Sequence, residues 1–85
     1  MARAEQDLVA IADYIARDNP DAAEGLKNQI IRKADLLPAN PRAYCVGRMP
    51  GTREMVVHPN YLVIYREDVH DVIILRVLHA AQRWP

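Results

Sequence analysis

Apolar positions in the first half of the chain recur with the period of a helix. Ala4, Leu8, Ile11 and Ile15 lie three or four residues apart, which lines them along one helix face. Glu5, Asp7, Asp13 and Arg17 fall largely off that stripe. Asn19-Pro20 ends the helix, because a residue before proline avoids the helical region. The same dipeptide starts a second helix, with asparagine as N-cap and proline at the first helical position. Asp21 and Glu24 then sit near the positive end of its dipole. Ala23, Leu26, Ile30, Ala34 and Leu37 continue the stripe until Pro38 closes the helix. Two helices joined by so short a turn pack antiparallel.

Residues 38–51 bring Pro38, Pro41, Gly47, Pro50 and Gly51 together, the signature of a surface loop. The loop carries Arg42, Tyr44 and Arg48, so it either only connects or also makes contacts. Beyond it the pattern changes. Residues 52–58, 61–66 and 72–78 are short runs rich in valine, isoleucine and tyrosine, separated by turn-forming residues. They predict a three-stranded antiparallel meander. In the last run strict alternation puts Ile73, Leu75 and Val77 on one face, and Val72, Ile74 and Leu78 with Arg76 on the other. Apolar residues on both faces suggest a central strand, or a second face that awaits a partner. The order helix, helix, strand, strand, strand predicts an α+β fold in which an antiparallel helical hairpin covers one face of a three-stranded sheet.

At 85 residues the chain makes one domain, residues 1–85. Half of it is apolar, enough for a core. The N-terminal MARAEQDL has charges where a secretion signal would be apolar, and no run is long enough to span a membrane. Cytoplasmic location is the expectation. The net charge is zero, yet residues 1–41 carry five Lys/Arg and seven Asp/Glu, a balance of −2. Residues 42–85 carry six arginines, no lysine and four acidic residues, a balance of +2. Arginine suits bidentate contact with carboxylate or phosphate.

Little in the sequence points to catalysis. Cys45 is alone and His58, His70 and His79 show no ligand spacing, so neither a metal nor another cofactor is expected. Serine is absent and there is no glycine-rich phosphate loop. Metal-free RNA cleavage would need an acid, a base and cations on phosphate. Glu54, His58 and His79 with Arg48, Arg53, Arg66, Arg76 and Arg83 offer those groups, and all of them equally suit solvated strand edges and turns. Tyr61 and Tyr65 share a strand face, as packing or as a stacking platform.

Three segments together carry a family resemblance. DLVAIADYIARDNPDAA at residues 7–23, GTREMVVHPNYLVIYR at 51–66 and VIILRVLHAAQRWP at 72–85 resemble, in order and spacing, the first helix and turn, the first long strand pair, and the last strand and tail of toxins of the ParE/RelE family, the ParE-like branch most closely. Members usually begin with a short strand. Here a helix begins almost at Met1, so either the start is misassigned or trimmed or this member lacks that strand, whose loss would expose a sheet edge.

The resemblance implies the toxin of a type II toxin–antitoxin pair. ParE-type toxins poison DNA gyrase, whereas RelE-type toxins cut messenger RNA on ribosomes. Leu62 stands where the RelE-type catalytic arginine would be, alanines replace an expected basic tail residue, and no lysine follows Lys33. These departures favour the gyrase branch, without catalytic residues. A ribonuclease would have to use Arg66, His79 and Arg83. A degenerate module that only binds antitoxin is a third reading. The resemblance further implies a cognate antitoxin whose disordered segment folds on the toxin in a hetero-oligomer. Its expected contacts are Leu8, Ile11, Ile30, Leu37, Ile74 and Arg76, and the arginine-rich second half suits an acidic segment. Arg48, Arg53, Arg83 and Trp84 are the expected target contacts. No membrane or specific nucleic-acid partner is expected.

Overall fold

In the computed structural model, residues 2–69 and 71–80 are described. Helix α1 spans Ala2–Ala16 and helix α2 spans Pro20–Asp35. Asn19 caps α2 from extended backbone, its side-chain oxygen accepting from the Ala22 N–H at 3.1 Å. A single 3-10 turn, Leu37–Ala39, follows, and it drives Leu37 into the core at 1% exposure. The predicted hairpin is therefore present and Pro20 opens α2 as expected, whereas α2 already ends at Asp35 and Pro38 lies within the 3-10 turn.

Among the described residues the sheet has four antiparallel strands in the order β1-β2-β3-β4: Cys45–Val46, Arg53–His58, Tyr61–Glu67 and Val72–His79. The sequence predicted three. The added β1 is two residues of the supposed loop, pairing Cys45 with Glu54 and Val46 with Arg53. Its return turn depends on two glycines. Gly51 has φ +79°, which favours glycine. A Cβ on Gly47 would lie 2.2 Å from the Thr52 hydroxyl oxygen, so any other residue there would collide with the turn.

Among the described residues β3 is an inner strand and β4 the last in the order, with apolar residues on both of its faces. The facing of β4 departs from strict alternation. Ile64 pairs with Arg76 and Tyr65 with Ile74, so the register skips Leu75 at a bulge. Ile74 and Val77 thereby share the helix side, where they join Met55, Val57, Val63, Tyr65, Leu26, Ile30 and Leu37. Leu75 and Leu78 turn to the other face with Leu62 and Ile64. The helices cover the first of these faces, with α1 lying against β4.

Candidate functional site

Three neighbourhoods hold the residues singled out by the sequence. The first is the β1–β2 end of the sheet. Arg53 donates from Nη1 to the Tyr44 carbonyl at 2.7 Å. Arg48 pairs through Nε with Glu54 at 3.5 Å, and its backbone N–H donates to the same carboxylate at 3.0 Å. Arg42 pairs with Glu67 at 3.0 Å. The Tyr65 hydroxyl donates to the Pro41 carbonyl at 2.7 Å, which moors the loop to the central strand. Burial pushes the Tyr65 phenol above its ordinary pKa, more than the nearby Arg53 charge lowers it. Arg48 and Arg53 are thus brought to one end of the molecule, each already engaged. Arg83 and Trp84, their expected companions, lie outside the described residues.

The second neighbourhood is the conditional ribonuclease set. Arg66 pairs across the ladder with Ile73, and His79 pairs with Tyr61. Tyr61 and Arg66 are five residues apart on β3, so the two positions are separated by roughly 17 Å at about 3.4 Å per residue. The His79 ring meets Tyr61 edge-on at 5.2 Å, and His58 lies 5.8 Å from Tyr61 on its other side. Leu62 is buried, facing Leu78. The fold does not gather Arg66 and His79 around one reacting phosphate, and Arg83 is outside the described residues. Among the described residues no three His, Cys, Asp or Glu side chains converge as metal ligands.

The third neighbourhood is the flank where α1, α2 and β4 meet. An open apolar hollow of about 250 Å³ lies between Ala4, Leu8, Ile30, Ile31, Ala34, Ile74 and Val77, with Glu5 at its rim. It takes in three of the expected antitoxin contacts, Leu8, Ile30 and Ile74. Ile11 is half-buried against the core. Leu37 offers no contact surface at all, because the 3-10 turn tucks it inside, and this corrects its assignment to a docking face.

Arg76 is engaged inside the chain. Its guanidinium donates to Asp7 through Nε at 2.6 Å and Nη2 at 3.1 Å, and the Val77 N–H donates to the same carboxylate at 3.1 Å. Both side chains are largely buried, at 19% and 13% exposure. The hydrogen bond to Asp7 raises the Arg76 pKa against the opposing effect of burial. Asp7 therefore does what a neighbouring strand would do, satisfying an N–H of β4 and fixing α1 in place. The pattern reading set Asp7 aside as an off-stripe charge. It nevertheless sits three residues after Ala4 and four before Ile11, and that spacing was the available signal.

Comparisons with known proteins agree with this architecture. Residues 1–84 match the family model described as the ParE toxin of the type II toxin–antitoxin system parDE. The chain is 40% identical over 84 residues to Y4kP of Sinorhizobium fredii, a protein named as a candidate toxin, covering 98% of this chain and 86% of that one. It is 38% identical over 82 residues to the protein named Toxin RelE2 of Caulobacter vibrioides, covering 94% and 90%. A solved structure titled as the chromosomal ParDE TA system from P. aeruginosa superposes with TM-score 0.80 at 25% identity, over 93% of this chain and 89% of that one.

Proposed function

The chain belongs to the ParE toxin family of type II toxin–antitoxin systems, and from that premise we propose that it arrests growth by binding DNA gyrase and stalling it after DNA cleavage. It is the toxin of such a pair, and a cognate antitoxin neutralises it in the cytoplasm by covering its surface. The observation that carries the non-catalytic reading is the separation of Arg66 from His79 along β3, together with the buried Leu62 at the position where a ribonuclease would need a cation. RNA cleavage without a metal requires acid, base and phosphate-binding cation within hydrogen-bond reach of one nucleotide. Arg48 and Arg53, at the exposed β1–β2 end, are the proposed gyrase contacts among the described residues. Leu8, Ile30 and Ile74, lining the apolar hollow, are the proposed antitoxin contacts.

The 38% identity to a relative named Toxin RelE2 favours a second reading, ribosome-dependent cleavage of messenger RNA. One paired assay separates the two. Purified chain is added to gyrase with supercoiled plasmid, and in parallel to ribosomes translating a defined message. Linear plasmid with intact message supports gyrase poisoning. Cut message with unaffected gyrase overturns it, and loss of that cutting in Arg66→Ala or His79→Ala would assign the catalysis. Activity in neither assay, with harmless expression in cells, would leave a module that only binds antitoxin.

A further inference from the structure

A cavity of about 280 Å³ opens at the β1–β2 end of the sheet, lined by Arg42, Val46, Gly51, Thr52, Arg53 and Glu67. It belongs to the helix side of the sheet: Arg53 pairs with Val46 on β1 and with the core residue Tyr65 on β3. Leu62, at the position of the ribonuclease cation, packs on the other face. Both walls are fixed from within. The Tyr65 hydroxyl donates to the Pro41 carbonyl beside Arg42. On the other side the Thr52 hydroxyl and N–H both donate to the Met49 carbonyl, at 2.7 and 3.2 Å, and the Gly47 N–H donates to the Thr52 carbonyl at 2.7 Å. Arg53 commits an N–H to the Tyr44 carbonyl and Arg42 commits one to Glu67, so each guanidinium keeps further donors. The Arg42 side chain is 75% exposed, and so open a pair with Glu67 holds it only weakly. Residues 42–67 carry four arginines, Arg42, Arg48, Arg53 and Arg66, against two carboxylates, Glu54 and Glu67, so the field at this end is positive.

We propose that this cavity receives a phosphate of the DNA backbone, held between the Arg42 and Arg53 guanidiniums. The inference rests on the gyrase reading above and deepens it: Arg53 meets the broken DNA that gyrase holds rather than gyrase itself. A phosphate accepts paired hydrogen bonds from either guanidinium, and it displaces Glu67 from Arg42 because that exposed pair contributes little. Arg48 and Arg66, at the same end of the sheet, suit the neighbouring phosphates of a strand, a repeat of charge that a single protein carboxylate does not offer. Backbone contacts carry no sequence information, in keeping with the expectation of no specific nucleic-acid partner. The zero net charge of the chain keeps its affinity for free DNA low until gyrase presents the duplex.

The test titrates the full chain with a short fluorescent DNA duplex and, separately, with a glutamate peptide of equal charge. The duplex is expected to bind at least about tenfold more tightly, with an affinity that falls as salt rises. Arg42→Gln with Arg53→Gln should weaken duplex binding at least about tenfold and leave the melting temperature in place, since glutamine keeps an N–H donor for Tyr44. Arg17→Gln with Lys27→Gln removes the same charge from exposed positions on the helical hairpin and should change duplex binding by less than about twofold. Should the Arg42/Arg53 variant melt early, titration of the original chain with inorganic phosphate decides instead. Amide shifts confined to residues 41–43 and 51–53 support the cavity, and shifts spread evenly over the arginines overturn it. Equal binding of duplex and peptide, or equal losses in the two double variants, would overturn the proposal. Gyrase with supercoiled plasmid separates the two levels. An Arg42/Arg53 variant that yields linear plasmid as readily as the original chain sinks the phosphate inference alone. An original chain that binds the duplex through the cavity yet leaves gyrase unaffected sinks the gyrase reading and leaves the phosphate site standing.

Discussion

Strand β3 and helix α1 are held in the same domain by different means. Val63, Ile64 and Tyr65 on β3 are fully enclosed, between Met55 and Val57 on one side of the strand and Val77 and Leu78 on the other. Helix α1 fully buries only Ala4 among its described side chains. Leu8, Ile11 and Ile15 are half-buried, while Val9 and Tyr14 face solvent at 59% and 69% exposure. What fixes α1 is one polar fork, Asp7 on Arg76 and Val77. Dense packing tolerates little change, whereas a helix held by a half-buried stripe and a fork can yield locally. The sheet is therefore the scaffold, and the α1 flank is the part that a partner can remodel.

This contrast can be broken at either end. Met55→Ala should have the largest effect, about 3 kcal/mol of lost stability, read as a lower denaturant midpoint with unchanged slope. Asp7→Ala comes next at about 2 kcal/mol, because it strands a largely buried guanidinium and an unpaired N–H, and partial exposure keeps the cost below that of a fully buried pair. Asp7→Asn keeps an acceptor for Val77 and should cost about half as much. In both Asp7 variants hydrogen exchange should accelerate in α1 far more than in β3. Equal acceleration in the two would remove the contrast.

Tyr65→Phe should cost about 1 kcal/mol and loosen the loop at Pro41. It also carries a pH signature. The phenol pKa is raised above 10.0 in the folded state, so the unfolded chain ionises first as pH rises. Stability should then fall above pH 10.0 and level off only beyond the folded pKa. Thermal melts of Tyr65→Phe should lack this part of the alkaline loss. Smallest of all, Arg42→Ala should change stability by less than about 0.5 kcal/mol, since its side chain is 75% exposed in the pair with Glu67.

The helical hairpin was legible because capping and period are local. Asn19 and Pro20 state where α2 begins without reference to the rest of the chain. The three long strands were legible for the same reason. Strand β1 was not, because Cys45 and Val46 carry no alternation and their pairing depends on the close approach of Gly47 to Thr52. The bulge at Leu75 was hidden by uniformity: with apolar residues on both faces of β4, a shift of one residue leaves the pattern unchanged. The polar network was least legible. Arg42 finds Glu67 across 25 residues and Arg76 finds Asp7 across 69, distances at which sequence spacing carries no signal.

The most direct measurement is amide hydrogen exchange on the chain alone and in complex with its co-expressed antitoxin. The account predicts strong added protection along α1, the C-terminal half of α2 and residues 72–74, with the amides of β3 equally slow in both states. Protection confined to residues 40–51, with the α1 flank unchanged, would contradict it.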